Sequence, residues 1–339
     1  MFRALVRSMR ALGASRDCLS VRFPIGKRFE VAMWERPGRW LDDAELGRMV
    51  EDLRVVARAS QEGKDVPMYG VLLGDRADLA SRVVTIVYTR DEGHPVGFNA
   101  LAYFDIPLGA RIESVLHLGL TCVDPAFRRQ RLPALLYGVA AFLLLFKSGL
   151  RGFWISNVTQ VPAVAGMVAD NYAGVYPHYD LRNRQTFKHL VLARAIMLDH
   201  RHAFGVGPDA GFDEATQVIT NAYTGGSDEL KKTFEEAPKH RRPEVNEFCR
   251  RVLDYDRGDD VLQLGRCTLR STLNFLRDKL PQRSHVQLIY RALVLVAFAT
   301  VVPVVRWLVP PEAAGAEARA LPGPPGQPGS ANETERSQS

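Results

Sequence analysis

The sequence predicts an α/β fold, with a central sheet and helices packed against it. Hydrophobic residues make up 46% of the 339 residues and charged residues 24%, proportions that suit a globular chain. Between residues 20 and 200, segments with the two-residue alternation of strands are interleaved with segments of helical periodicity. The predicted order is β–α–β–β–β–α–β–α–β, an alternation that is typical of α/β proteins.

The first predicted elements are two short strands in residues 20–35, separated by a Pro-Ile-Gly turn. A helix is expected over residues 41–62, because apolar side chains recur there at steps of three and four residues. Asp42 or Asp43 could cap its start. Three strands are expected next, at residues 83–89, 96–105 and 114–123. The turn DEGHP joins the first two of them.

Four more elements complete this region. They are an apolar helix at 132–147, a strand at 152–156, a second helix near 161–172 and a long strand at 186–198. Residues 201–284 differ in character, with loop signals, a charge-rich stretch and one helix expected at 267–280. The sequence therefore predicts a C-terminal helical extension after residue 200.

The N-terminus, residues 1–19, is a basic arm in which no acid precedes Asp17 and four arginines stand at positions 3, 7, 10 and 16. It could form a basic amphipathic helix, as in a transit peptide or a membrane-surface arm, or a surface helix of the folded protein. It lacks the long apolar region of a secretory signal.

Near the C-terminus, residues 285–309 are predicted to form an apolar helix. Its uncharged centre, 292–305, would reach about 20 Å as a helix, short of the roughly 30 Å hydrocarbon core of a bilayer. The longer stretch 286–309 would span if Arg291 reached the interface. A membrane anchor, a re-entrant segment and a buried helix all remain open. The Pro/Gly/Ala/Ser-rich tail, 310–339, is expected to be disordered.

The charge balance favours an anionic partner. The net charge is +6 and the pI about 9.2, which suits nucleic acid, anionic lipid or a phosphorylated cofactor. No recognised motif with interleaved aromatic residues points to nucleic acid. The four cysteines are Cys18, Cys122, Cys249 and Cys267. They form no CxxC pair, and no histidine lies at metal-ligand spacing from them, so free reduced thiols are expected and no metal site is predicted.

The stretch VDPAFRRQRLPALL, residues 123–136, follows a predicted strand and opens the apolar helix. Backbone N–H groups at a helix N-terminus after a strand bind phosphate, usually with glycines that let the backbone come close. This loop has no glycine, and Pro133 lacks an N–H, although proline is comfortable in a first helical turn.

With the order of elements, the run LHLGLTCVDPAFRRQRLPALLYGVAAFLL resembles the GNAT acyltransferase superfamily. Most members have the loop R-G-x-G-x-[GA], where this chain has Arg128-Arg129-Gln130-Arg131-Leu132-Pro133. N-myristoyltransferases also lack those glycines, and their loop is similar at Cys122, Val123, Arg128, Arg131, Leu132 and Leu136. The resemblance implies a GNAT-like domain over residues 20–200, with a mixed, mostly antiparallel central sheet flanked by helices. It also implies acetyl-CoA or another acyl-CoA as co-substrate.

Three interpretations of the loop remain open. The arginines could help a glycine-free turn hold the pyrophosphate of CoA. The fold could be kept while CoA binding is lost. The arginines could also be a solvated face. By the resemblance, the cofactor would contact the end of the strand, the loop and the next strand, at Leu120, Thr121, Cys122, Val123, Arg128, Arg129, Gln130, Arg131, Leu132, Ala134 and Asn157.

Within that set, the backbone of Leu120 and Thr121 would polarise the thioester carbonyl. Asn157 could bind the pantetheine arm, or it could cap the following helix. Cys122 could be a nucleophile, although a small buried hydrophobe fits it better.

Three residues are candidates for proton transfer. His117, in mid-strand, has the pKa of a natural base but could be a satisfied polar residue. Glu113 stands at the start of that strand, where GNAT members often carry an acid. In GNAT members a tyrosine usually stands seven residues after the position of Asn157, where this chain has Val164. Tyr172 and Tyr176 lie farther on and could replace it, and Tyr172 is taken as the candidate acid.

The predicted function is transfer of an acyl group, acetyl or a longer chain such as myristoyl, from a CoA thioester to an amine or lipid acceptor. The alternative is a catalytically inactive binding or structural protein on a GNAT scaffold. The predicted location is the cytoplasm or the cytoplasmic face of a membrane, with membrane contact through 286–309.

Overall fold

The computed structural model describes residues 18–61, 70–148, 150–224 and 230–279. Contacts divide the chain into two units, Met1–Leu293 and Val294–Ser339, and every described residue lies in the first. The basic arm before residue 18, the apolar helix at 285–309 and the tail at 310–339 lie outside the described residues. No helix within the described ranges is both long and apolar enough to cross a membrane.

The described strands form one sheet. Their bounds are β1 (Ser20–Ile25), β2 (Phe29–Glu35), β3 (Arg82–Thr89), β4 (Pro95–Leu108), β5 (Arg111–His117), β6 (Thr121–Val123), β7 (Phe153–Thr159), β8 (Ala173–Tyr176), β9 (Gly211–Asp213), β10 (Val218–Thr220) and β11 (Asp260–Cys267). The spatial order is β1-β2-β3-β4-β5-β7-β11-β10-β9, with β6 paired to β4 and β8 to β11. Only β5 and β7 pair in parallel among these strands, so the expected mixed, mostly antiparallel sheet is confirmed.

The described helices are α1 (Asp43–Ser60), α2 (Arg76–Leu79), α3 (Leu132–Lys147), α4 (Pro162–Asn171), α5 (Phe187–Ala195), α6 (Pro243–Val252) and α7 (Leu269–Lys279). They lie on both faces of the sheet, as predicted. Asp42 caps α1, because its Oδ1 accepts a hydrogen bond of 2.7 Å from the N–H of Glu45.

The strand β4 shows which helices share a face. Its residues Phe98 and Ala100 pack in the apolar cluster of α1, and Ala102 and Phe104 pack in that of α5. Because side chains alternate along a strand, α1 and α5 cover the same face, which we call the α1 face. The helices α3, α4 and α6 cover the opposite α3 face.

The prediction of a long strand at 186–198 is wrong. This segment forms the helix α5, which is followed by a π-helical turn, Ile196–His200. A capping box starts the helix: the N–H of His189 donates to Thr186 Oγ1, and the N–H of Thr186 donates to His189 Nδ1. The buried residues of this segment recur at the three- and four-residue spacing of a helix: Leu192, Ala193, Ile196 and Met197. The sequence analysis had interpreted this run of apolar and β-branched residues as a strand instead.

The segment 201–284 is more than a helical extension. Its strands β9, β10 and β11 join the sheet, and β11 lies inside it, between β7 and β10. Val261 packs on the α3 face and Leu262 on the α1 face, so β11 is buried on both sides. Burial on both faces removes the polar–apolar alternation by which a strand is recognised, which is why the sequence analysis missed it.

Candidate active site

The sheet opens between two neighbouring strands. The parallel pairing of β5 with β7 ends where His117 stands opposite Ser156. Beyond this point β6 continues along β4, whereas the rest of β7 follows β11. Within the described residues no strand pairs with the free edge of β6, so a gap separates β6 from the end of β7.

Three residues, Leu118, Gly119 and Leu120, form an irregular link between β5 and β6. Ala102 pairs with His117, and the N–H of Ala100 donates to the carbonyl of Leu120. One residue thus lies between these two positions on β4, whereas two residues lie between them on the link. Such an extra residue is a β-bulge, and bulges are frequent beside active sites.

The predicted oxyanion positions lie at this bulge. The N–H of Asp124 donates to the carbonyl of Val96, and the carbonyl of Leu120 accepts from Ala100. Bonding to β4 alternates along an antiparallel strand, so the N–H groups of Thr121 and Val123 face the gap. The N–H of Thr121, one of the two predicted oxyanion positions, is therefore directed into the gap.

The glycine-free loop after β6 has an unusual backbone. Arg129 has a φ of 66° and Arg131 a φ of 60°, both in the left-handed region that favours glycine. In the GNAT loop pattern, these two positions are the first two glycines. The chain therefore keeps a glycine-like conformation at both positions and places arginine side chains there.

Helix α3 starts directly after this loop, since the carbonyl of Arg131 accepts from the N–H of Leu135 at 3.0 Å. Its first turn carries orphan N–H groups, apart from Pro133. Leu132 is buried against Gly97, and Ala134 is partly exposed. Gln130 is partly exposed, and the three arginines of the loop are exposed: Arg128, Arg129 and Arg131.

Asn157 lies on β7 at the other side of the gap. It is 3% exposed, and its Nδ2 has no hydrogen-bond partner among the described residues. A buried amide without an acceptor is costly, and a ligand carbonyl in the gap would satisfy it. The interpretation of Asn157 as a helix cap is wrong, because Val161 is the N-cap of α4 and Thr159 Oγ1 accepts from its N–H.

Two tyrosines lie under the α3 face near the gap. The hydroxyl of Thr121 donates to Tyr137 Oη at 2.8 Å. Tyr172, just after α4, lines a small cavity together with Tyr137 and residues of α7. Burial raises the pKa of both phenols above the ordinary value, so both hydroxyls keep their protons. The sequence analysis missed Tyr137, although its polar group in an otherwise apolar helix was a visible signal.

On the α1 face the bulge opens into a second space, a cleft of about 190 Å³. Its floor and walls include His117, the bulge, Val158 and Phe204. One row of residues crosses the sheet here in register, on β3, β4, β5 and β7: Arg82, Ala102, His117 and Ser156. The small Ala102 lets the longer side chains on either side of it approach each other.

The imidazole of His117 is buried and stacked. Its ring lies 5.4 Å from that of Phe104 and 5.0 Å from that of Phe204, and Nδ1 lies 3.1 Å from Ser156 Oγ. Burial, with a smaller effect of the nearby charge of Arg82, lowers the pKa of His117 to about 3. The ring is therefore neutral at pH 7 and a weak base, although it can still take part in hydrogen bonds.

We expect stability to depend on His117 below pH 6.5. The unfolded chain protonates this histidine near its ordinary pKa of 6.5, whereas the folded chain does so only near 3. The stabilisation of the fold by the neutral ring of His117 is therefore complete above pH 6.5. It is lost as the pH falls below this value, by about 1.4 kcal/mol per pH unit. Urea unfolding at pH 7.0 and 5.5 should show this extra loss in the native protein and its absence in His117→Gln. Equal pH dependence of the two proteins would contradict the buried neutral ring.

Glu113 lies far from this cleft. It stands four residues before His117 on β5, about 13 Å along the strand, and its Oε1 accepts from Lys188 Nζ at 3.1 Å. The structure therefore does not bring the two predicted proton-transfer residues together. Cys122 is half-buried, and burial raises the pKa of its thiol, which fits a small hydrophobe and not an activated nucleophile.

No cluster of three or more histidine, cysteine, aspartate or glutamate side chains that could hold a metal is found in the parts of the chain that the structure describes.

Comparison with protein-family models finds no match, and comparison with curated proteins finds none either. Among solved structures, the chain is similar to a tetramutant of the BH1408 protein from Bacillus halodurans, with 13% identity, a TM-score of 0.22, and coverage of 30% of this chain and 72% of that one. It is also similar to a mutant of the toxin AtaT bound to acetyl-CoA and the C-terminus of the antitoxin AtaR, with 18% identity, a TM-score of 0.18, and coverage of 22% and 49%.

A third similar structure is AtaT complexed with acetyl-methionyl-tRNAfMet, with 14% identity, a TM-score of 0.20, and coverage of 26% of this chain and 60% of that one. This chain thus spans only about half of the AtaT chains. Likenesses of this extent carry no argument about activity, which rests on the geometry of the chain itself. None of these three structures is an N-myristoyltransferase, so that narrower resemblance rests on the loop sequence.

Proposed function

We propose that the protein transfers an acyl group from a CoA thioester to an amine. The observation that carries this proposal is the left-handed backbone of Arg129 and Arg131, which have φ values of 66° and 60° in the loop between β6 and α3. A loop that adopts glycine-like conformations without glycine maintains strain of roughly 1–3 kcal/mol per residue. Strain of this kind fits a loop whose backbone must reach a ligand.

The thioester would lie in the gap between β6 and β7. Its pyrophosphate would meet the loop and the first turn of α3, where N–H groups and arginine charge favour an anion. The pantetheine arm would pass Asn157, whose Nδ2 has no partner in the described chain. The thioester carbonyl would accept from the N–H of Thr121.

In the proposed reaction the amine nitrogen attacks the thioester carbon from the α1 face. The new C–N bond forms as the C–S bond breaks, so the products are an amide and CoA. The proton that leaves the nitrogen passes to solvent, and the tyrosine that protonates the thiolate regains a proton from solvent, so the step is balanced. Tyr172, or Tyr137 through its contact with Thr121, would supply the proton to sulphur, because both phenols are protonated at neutral pH.

The acyl chain could be acetyl or longer, such as myristoyl, and contact with a membrane through 286–309 remains part of the proposal. His117 would position the amine and not remove its proton, since burial lowers its pKa to about 3. This weak basicity also favours a second candidate function, a protein that binds acyl-CoA without catalysis.

Calorimetric titration of the full chain with CoA, acetyl-CoA and myristoyl-CoA tests the binding step. Thiol release from each bound thioester, measured with a panel of amines, tests the transfer step. We expect micromolar binding and amine-dependent thiol release. Binding without thiol release from any amine would leave the binding protein as the function, and no binding at millimolar thioester would refute both.

A further inference from the structure

The cleft on the α1 face contains a buried arginine that the sequence analysis did not single out. Arg82 is 5% exposed, and its Nε lies 3.0 and 3.1 Å from the two carboxylate oxygens of Asp78. Nη2 also donates to Asp78. A guanidinium presents five donors in one plane, so Asp78 occupies one edge of the group and leaves the other.

Arg82 is also one of the residues that line the cleft. In the described residues, no hydrogen bond or ion pair involves Nη1, and this residue lines the cleft beside His117 and the bulge. The neighbouring strands are about 4.8 Å apart, so the backbones of Arg82 and His117 lie about 10 Å apart with Ala102 between them. Both side chains line the cleft, so a small ligand in it would touch both.

The walls add a second constraint. Besides Arg82 and His117, the side chains that line the cleft are apolar, among them Val71, Leu118, Val158 and Phe204. The volume, about 190 Å³, is below the roughly 300–1,000 Å³ of pockets for drug-sized ligands. A planar bidentate donor at one end of a small apolar cleft matches a carboxylate on a compact apolar molecule.

We infer that this cleft binds the acceptor through its carboxylate, and that the acceptor is a small apolar amino acid. The inference rests on the proposed acyl transfer and adds the class of its acceptor. The carboxylate would pair with the Nη1 edge of Arg82, the amine would face the bulge where the thioester carbonyl lies, and the side chain would pack against Phe204. His117 would contact the amine with a neutral ring nitrogen.

The test compares amines that differ only in the carboxylate. L-leucine is paired with 3-methylbutylamine and with L-leucinamide, and L-phenylalanine is paired with 2-phenylethylamine. In the native full chain with acetyl-CoA, we expect KM to be at least about tenfold lower for each amino acid than for its partners, as one lost charge-assisted hydrogen bond predicts.

Arg82→Lys keeps a cation beside Asp78 but removes the planar fork, and it should bring the KM values of each pair to within about twofold. Asp78→Asn is the matched control, since it alters the same buried contact from the other side and retains the guanidinium of Arg82, and it should keep the preference. Thermal unfolding with each amine in the absence of acyl-CoA gives a second readout, and only the amino acids should raise the Tm of the native protein.

The outcomes separate the two proposals. If acetyl-CoA does not bind but leucine still raises the Tm in an Arg82-dependent way, the proposed reaction fails and the carboxylate site remains. If leucine and its partners have equal KM values, or if none of the probes raises the Tm at 10 mM, the carboxylate site is refuted. A preference that survives in Arg82→Lys would also refute it.

Discussion

Gly119→Ala should destabilise the protein by about 1–3 kcal/mol and weaken acyl-CoA binding at least about tenfold, as the loss of one hydrogen bond predicts. A Cβ at this position would lie 2.4 Å from the carbonyl oxygen of Ala100. The obstacle is backbone on β4, so no side-chain rotation can relieve it and the bulge itself must move. Moving the bulge also moves the N–H of Thr121, on which the proposed contact with the thioester carbonyl depends.

The matched control is Gly47→Ala, a glycine-to-alanine change at an exposed position inside α1. A Cβ there meets nothing within 4 Å, so this variant should be more stable by about 0.5–1 kcal/mol and bind acyl-CoA as the native protein does. Urea unfolding and calorimetry measure the two effects. If Gly119→Ala unfolds and binds like the native protein, the bulge does not require glycine and its assigned role is wrong.

Replacing both loop arginines, Arg129→Gly with Arg131→Gly, should raise stability and weaken CoA binding at the same time. Both residues have a positive φ, which costs roughly 1–2 kcal/mol per residue for a side chain and little for glycine. Part of this gain is offset by the greater freedom of glycine in the unfolded chain, so we expect a net rise of about 1 kcal/mol.

The same double variant loses two charges that would pair with the pyrophosphate. At an exposed site each pair contributes about 1 kcal/mol, so the Kd for CoA should rise at least tenfold. Added salt should weaken native binding more than that of the variant. Arg184→Gly, which removes an exposed arginine from another loop, should leave the Kd unchanged. An unchanged Kd in the double variant would mean that the arginines are only a solvated face.

The gap and the cleft meet at the bulge. The gap on the α3 face is bordered by Thr121 and Asn157, and the cleft on the α1 face by His117 and Arg82. Gly119 lies between them and brings the chain close to β4. In the proposed reaction, a thioester and an amine that enter from opposite faces would therefore meet at the bulge.

The sequence determined the local features of this protein. Helical periodicity predicted α3 over residues 132–147 and placed the cap of α1 at Asp42 or Asp43, and both are confirmed. It also placed the arginine loop between a strand and a helix. These properties depend on neighbours within a few positions, so the pattern of residues is enough to reveal them.

Tertiary structure alone decided the rest. Arg82 faces His117 because residues 35 positions apart stand in register across Ala102, and β11 joins the sheet more than a hundred residues after its neighbour β7 begins. The left-handed backbone at Arg129 and Arg131 runs against the preference of arginine and is held by the strand before the loop and the helix after it. Such features arise from packing between distant segments, whose free energies outweigh local preferences.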